Sequence, residues 1–173
     1  MKQRINLRPL LQADQAAFLA AVARSRGLHR PWVSAPATPE QFRAYLARMT
    51  PPAHHPMLVT LAGNGEPVGV INLSNIVLGA FRSGYLGYYA FAPHAGQGLM
   101  APGLRAMVRH AFGPLGLHRL EVNIQPGNTA SLALARACGF QREGFSPRYL
   151  KIGGRWRDHE RWALLADRPR QGQ

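Results

Sequence analysis

Glycines at positions 96 and 98, in Ala95-Gly96-Gln97-Gly98, separate the aromatic-rich run Tyr85 to Phe91 from a stretch in which Leu104, Met107, Val108 and Ala111 recur at three- and four-residue spacing. The pattern reads as a strand ended by Pro93, a sharp turn, and an amphipathic helix that begins near Gly98 and turns Arg105 and Arg109 outward. Glycine allows backbone conformations closed to other residues and lets a ligand approach the main chain. A helix start carries unpaired N–H groups and a partial positive charge, so the chemistry on offer is phosphate binding by main-chain donors. Pro102 suits a first helical turn, where its missing N–H does little harm. Ala101 breaks the pattern Gly-x-Gly-x-x-Gly, and no Gly-Lys-Ser/Thr occurs, so neither of those phosphate motifs applies. The other reading of the turn is a plain strand-to-helix connection. A second pair of polar residues, Asn128 and Ser131, follows Gln125-Pro126-Gly127 and opens another helix, where Asn128 is placed to act as N-cap.

The elements that must position these residues follow in order. Ile5 to Leu10 reads as a strand, Asp14 as an N-cap, and Ala17 to Val22 as an apolar helix. Gly27 to Pro39 is a proline-rich loop carrying Trp32, either a substrate contact or a lid over the core. Thr38-Pro39-Glu40-Gln41 starts a helix bearing Phe42, Tyr45, Leu46 and Met49, which stops at Pro51-Pro52. Met57 to Leu61 and Pro67 to Leu73 flank Gly63-Asn64-Gly65 as a hairpin, and 74–84 is a loose connection into the central strand. After the central helix come a strand from Arg119 to Ile124, a helix from Asn128 to Cys138, strands from Phe140 to Phe145 and Arg155 to Leu165, and a polar, frayed tail over 167–173. A strand, crossover helix and strand over 85–124 imply a parallel pair among antiparallel hairpins, hence a mixed α/β sheet flanked by helices.

Composition narrows the setting. With 173 residues, no internal repeat, 46% hydrophobic and 17% charged residues, the expectation is one globular domain over 1–173. No apolar stretch is long enough to span a membrane, and Lys2 and Arg4 are not followed by a signal-peptide core, which points to a cytoplasmic protein. The single cysteine, Cys138, excludes an internal disulfide and a multi-cysteine metal site, and is expected to be a small buried core residue. His54 and His55 are adjacent, a poor arrangement for one metal, so no metal is expected. Twenty-one Lys and Arg against eight Asp and Glu give +13, and no carboxylate lies between Glu66 and Glu121. A polyphosphate cofactor would meet little repulsion in that window; nucleic acid is a second fit for the charge but ranks behind a plain arginine-rich surface.

Gly96-Gln97-Gly98-Leu99-Met100, Leu117-His118-Arg119-Leu120-Glu121, Asn128-Thr129-Ala130-Ser131, Cys138-Gly139-Phe140, Arg142-Glu143-Gly144 and Gly154-Arg155-Trp156-Arg157-Asp158-His159 stand in the order and spacing of one family. The chain resembles the GNAT acetyltransferases, and within them the RimJ/RimL branch that acetylates ribosomal-protein N-termini, from about Tyr85 to Leu165 and more loosely from Ile5 through Arg30-Pro31-Trp32. The resemblance implies a sheet whose parallel pair splays apart to receive the pantetheine arm of acetyl-CoA. It implies that main-chain N–H groups of Ala95, Gly96, Gln97, Gly98, Leu99 and Met100 hold the pyrophosphate of coenzyme A. Phe91 and Ala92 would offer backbone groups to pantetheine or to the thioester carbonyl. Asn128 and Ser131 would meet the cofactor, with Ser131 protonating the departing thiolate.

Two departures stand out. Ala95 occupies a place where relatives often carry Gln or Arg, which leaves the backbone to hold the phosphates and is expected to weaken the grip. Arg148 occupies a place where relatives often carry a carboxylate proposed as general base, and a guanidinium stays protonated at any relevant pH. Glu121 and Glu143 remain as carboxylates near the site, each with a structural reading as an ion-pair or turn residue, while Tyr88, Tyr89 or Tyr149 could relay a proton through water. A free α-amine, with a pKa near ~8 against ~10.4 for lysine, needs the least help, so the expected acceptor is a protein or peptide N-terminus, ribosomal ones first. The alternatives are a small-molecule amine acceptor and a weakly catalytic protein that docks on RNA or ribosomes. Monomer and homodimer fit the sequence equally.

Overall fold

The computed structural model describes residues 4–166, so the tail expected to fray lies outside the described residues. Seven strands form one sheet in the order β1-β2-β3-β4-β5-β7-β6. Its strands are β1 (Ile5–Pro9), β2 (His55–Leu61), β3 (Pro67–Val77), β4 (Ser83–Ala90), β5 (Arg119–Ile124), β6 (Gln141–Ile152) and β7 (Arg155–Leu165). All neighbours run antiparallel except β4 and β5, which are parallel and joined by the crossover helix α4 (Met100–Phe112). The other helices are α1 (Gln15–Arg24), α2 (Arg26–His29), α3 (Pro39–Arg48) and α5 (Thr129–Ala137).

Period-two alternation sorts the β4 side chains to two cores. Leu86, Tyr88 and Ala90 join the cluster under α4 and α5, with Leu104, Met107, Leu120 and Trp162. Tyr89, together with Phe91 just past the strand, joins Phe18, Phe42 and Tyr45 under α1 and α3. Missing Cβ atoms set how closely α4 lies on the sheet. A Cβ on Gly103 would stand 2.9 Å from Val59 Cγ2, and one on Gly69 would stand 2.5 Å from Met100 Sδ and 2.6 Å from the Tyr89 carbonyl oxygen. The first turn of α4 is thereby pressed against β3 beside the end of β4.

Several local expectations change. Asp14 stands at the N-cap position of α1 but does not cap it: its carboxylate accepts from Leu11 N–H at 2.8 Å and pairs with Arg8 at 2.7 Å. The Gly27–Pro39 loop begins with a helical turn, α2, that buries His29. β3 runs on to Val77, shortening the connection expected over 74–84, and its ladder with β4 is irregular between Ser74 and Val77, where Asn75 takes φ 51°. β6 continues past Phe145 to Ile152, through Pro147, because an edge strand tolerates a residue without a ladder donor. At α3, Thr38 Oγ1 accepts from Gln41 N–H, as the sequence predicts for that start, while the Gln41 side chain returns one residue further back than in a capping box, to Ala37 N–H.

Candidate active site

The parallel ladder covers only Ser83↔Arg119 to Leu86↔Val122. β4 then continues four residues to Ala90 and β5 two residues to Ile124 without pairing, which opens a gap at their carboxyl ends. Phe91 N–H donates to Val68 C=O, so alternation turns the main chain of Tyr85, Gly87 and Tyr89 toward β3 and that of Tyr88 and Ala90 toward the gap.

Beyond β4 the chain falls into two stretches. In the first, from Phe91 to Ala95, every backbone N–H is engaged. Phe91 C=O accepts from His94 N–H (2.9 Å) and Ala95 N–H (3.0 Å). Ala92 N–H donates to Ser25 Oγ at 2.9 Å, and Ser25 Oγ in turn donates to Ala21 C=O at 2.6 Å. Ala90 C=O meets His29 Nε2 at 2.9 Å. Burial pushes the His29 pKa below its usual value, so the imidazole is neutral and Nε2 carries the hydrogen that Ala90 C=O accepts. Phe91 and Ala92 are expected to offer backbone groups to pantetheine and Ala95 an N–H to the pyrophosphate; their three N–H groups already donate within the protein, Ala92 C=O has no partner among the described residues, and the main chain that faces the gap belongs to Tyr88 and to Ala90, whose carbonyl His29 occupies. Nothing in the sequence marks Ser25 or His29 as supports for this strand end, because their partners lie more than sixty residues away.

In the second stretch the main chain is idle. Gly96 (φ 78°) and Gly98 (φ 74°) take left-handed conformations in open space, with nothing within 4 Å of where a Cβ would stand. Gln97 Nε2 donates to Pro93 C=O at 2.9 Å and closes the turn. Among the described residues, the N–H groups of Gly96, Gln97, Gly98, Leu99 and Met100 donate to no turn, loop or side-chain acceptor. No side chain caps α4 at Leu99. Gly96, Gln97 and Gly98 are exposed, while Leu99 and Met100 are buried and anchor the start of the helix. The result is a row of unpaired donors, exposed at Gly96, Gln97 and Gly98, at the positive end of a thirteen-residue helix.

Across the gap, Asn128 Oδ1 accepts from Ser131 N–H at 3.2 Å, so Asn128 caps α5 through its oxygen and keeps its amide NH2. Tyr88 Oη–H donates to Ser131 C=O at 2.9 Å and ties β4 to the first turn of α5. Burial raises the Tyr88 pKa, so the phenol remains a donor. The half-buried Ser131 has no hydrogen bond from its hydroxyl among the described residues. Cys138 is half-buried rather than fully enclosed, its thiol 3.8 Å from Ala101 C=O and pushed up by burial. Trp32 lies over Gly127, where a Cβ would come 3.1 Å from the indole Cη2.

The remaining carboxylates are committed. Arg119 Nε meets Glu121 at 2.7 Å, and the same guanidinium forms a two-point ion pair with Glu143. Arg119 holds the Glu143 carboxyl below the usual range. Burial, then the Glu121 and Tyr149 neighbours, raise the Tyr85 phenol. Arg148 sits in an irregularity of β6 at φ 48°, its N–H donating to Asp158 Oδ1 at 2.7 Å. Among the described residues no three His, Cys, Asp or Glu side chains converge as a metal site, and no helix is long and apolar enough to cross a membrane.

The chain is similar to known proteins. The chain is 35% identical to the probable N-acetyltransferase YjcK of Bacillus subtilis (strain 168) over 104 residues, 60% of this chain and 58% of that one. It is 41% identical to the [ribosomal protein uS5]-alanine N-acetyltransferase of Escherichia coli (strain K12) over 99 residues, 57% of this chain and 51% of that one. The matches thus span between half and three fifths of those relatives. Among solved structures, Mycobacterium smegmatis RimJ in complex with CoA-disulfide superposes with a TM-score of 0.86 at 28% identity, covering 94% of this chain and 82% of that one. Residues 4–141, well over half of the chain, match the family described as "Acetyltransferase (GNAT) domain", and the chain belongs to that family.

Proposed function

We propose that the chain is a single-domain, acetyl-CoA-dependent N-acetyltransferase whose acceptor is the N-terminal α-amine of a protein, ribosomal proteins first. The observation that carries this reading is the idle row of N–H groups from Gly96 to Met100, beside the gap between β4 and β5. Acetyl-CoA supplies the thioester from which a free amine displaces the thiolate directly, without a covalent enzyme intermediate.

The chain's own residues divide the work. Gly96, Gln97, Gly98, Leu99 and Met100 hold the pyrophosphate through main-chain donors, and Ala95 contributes only the turn that aims them. Tyr88 offers its main-chain groups and Ala90 its N–H along the gap, beside the free carbonyl of Ala92. Asn128 orients the start of α5 by capping, and its uncommitted amide NH2 would donate to the cofactor. Ser131, with its hydroxyl uncommitted, donates the proton that the leaving sulfur takes up and recovers one from water. Neither Glu121 nor Glu143 is free to act as general base, since both are paired with Arg119. That favours an acceptor whose amine releases its proton to water near neutral pH, which an α-amine does more readily than lysine. The ribosomal-protein N-acetyltransferase similarity supports the same acceptor class.

The test is thiol release from acetyl-CoA with a panel of peptides bearing free α-amines, ribosomal N-termini among them, against peptides blocked at the N-terminus but carrying lysine, and against polyamines. Turnover confined to free α-amines supports the proposal; turnover only with lysine or polyamine overturns the acceptor class. In Ser131→Ala, kcat is expected to fall by roughly 100-fold with little change in acetyl-CoA affinity. An unchanged kcat would remove Ser131 from the chemistry.

A further inference from the structure

The β6–β7 hairpin reaches well beyond the sheet that supports it. The last rung between β5 and β7 is Ile124↔Glu160, whereas β6 and β7 remain paired out to Ile152↔Arg155. Five residues of β7 therefore extend past the end of β5, about 16 Å at the usual rise of a strand, on the side of the molecule where the β4–β5 gap opens. Gly153 (φ 55°) and Gly154 (φ 79°) close the hairpin as a tight two-residue turn. At its base Asp158 accepts Arg148 N–H and fixes the irregularity of β6.

The tip of this arm carries a particular chemistry. Trp156 is 61% exposed, the largest exposed aromatic ring on the arm, and Lys151 stands directly across from it on the same face of the ribbon. Arg155, exposed beside the turn, and Arg157 both lie on the other face of the ribbon, and only Arg155 stands at the tip, within reach of a strand that wraps around it. From Gly144 to Arg157 there is no carboxylate. Cations alone would suit any acidic partner, but a cation across from an open indole face suits one that offers both phosphates and flat rings. Single-stranded RNA provides both, with a base stacking on the indole and its phosphates reaching the lysine and arginine. An acidic peptide would use the cations and leave the indole face without a partner. The chain's net charge of +13 adds a general attraction to the same polymer.

We propose that the tip of the β6–β7 arm binds single-stranded RNA, with Trp156 as the stacking platform and Lys151 and Arg155 as the phosphate contacts. The site is separate from the glycine turn, so it stands whether or not the acetyl-transfer reading does.

The test uses the full chain and a fluorescein-labelled twelve-nucleotide oligouridine, read by anisotropy across a salt series. Trp156→Ala is expected to weaken binding about tenfold, the loss of one stacked base, while Trp156→Phe keeps most of the affinity. Lys151→Ala with Arg155→Ala should make the slope of log affinity against log salt shallower by about 1.4, two phosphate contacts' worth on a single strand. The control pair Arg43→Ala and Arg48→Ala removes the same charge from α3 and should bind within about twofold of the parent. Melting curves confirm that each variant is folded. Equal losses in the arm and control pairs would reduce the effect to overall charge and overturn the proposal. So would undiminished binding by Trp156→Ala, or competition by polyglutamate as effective as that by unlabelled RNA, which would assign the tip to an acidic protein.

Discussion

Two consecutive stretches of main chain, Ala90 to Ala95 and Gly96 to Met100, differ in what their polar groups do. In the first, Ala90 C=O, Phe91 N–H and C=O, Ala92 N–H and Ala95 N–H all have partners within the protein. In the second, five successive N–H groups have none among turn, loop and side-chain acceptors of the described residues. Buried backbone groups must be paired, and those at a solvent-facing helix start need not be. The first stretch therefore fixes the end of β4, and the second keeps its donors free.

The sharpest way to break this comparison is to distort the idle stretch alone. Gly98→Val forces a β-branched residue into φ 74° but meets no neighbour, so the fold should persist while the donor row is disordered. Acetyl-CoA is expected to bind about 30-fold more weakly by calorimetry, a cost of about 2 kcal/mol. Unchanged affinity would mean that the turn is not the anion site.

Pressure on the contact beneath the turn comes next. Gly69→Ala sets a methyl group against Met100 Sδ and the Tyr89 carbonyl, and only the methionine can move cheaply. Chemical denaturation should show a loss of about 2 kcal/mol, with acetyl-CoA affinity reduced as well because the start of α4 shifts. A neutral outcome would show that the closeness of α4 to β3 does not matter.

Removing a support of the engaged stretch should act on stability and spare binding. Ser25→Ala leaves the half-buried Ala92 N–H without its partner and is expected to cost about 1 kcal/mol, while acetyl-CoA affinity stays within about twofold. If affinity collapsed with little loss of stability, Ala92 N–H would have to be counted among the ligand contacts after all.

The smallest effect concerns pH. Burial depresses the His29 pKa, so the unfolded chain takes up the proton more readily than the folded one. Stability from this group is complete above the unfolded value near ~6.5 and is lost as pH falls through the lower folded value. Thermal melts from pH 7.5 downward should show a slope that His29→Gln flattens; an identical slope in the variant would place the proton uptake elsewhere.

Much of the site was legible in the residues because it rests on local rules. Gly96 and Gly98 announce a left-handed turn, the three- and four-residue spacing after Met100 announces the helix, and Asn128 announces a cap three residues before the N–H it accepts. The parallel β4–β5 pair follows from strand, helix and strand, since a crossover of that length places the second strand beside the first. Pro147 misled in the other direction: it suggests that β6 stops at Phe145, whereas an edge strand can carry it through.

The composition and local spacing of the chain determined a mixed sheet, a glycine-turn helix start and a strongly basic surface. Only the tertiary structure decided which backbone amides are free, because a hydrogen bond such as Ala92 N–H to Ser25 Oγ joins residues sixty-seven positions apart and leaves no periodic trace. The same holds for the neutralised carboxylates, where Arg119 reaches both Glu121 in its own strand and Glu143 in β6. Local propensity is set by neighbours in sequence, while the satisfaction of polar groups is set by neighbours in space, and a site made of unpaired donors belongs to the second kind.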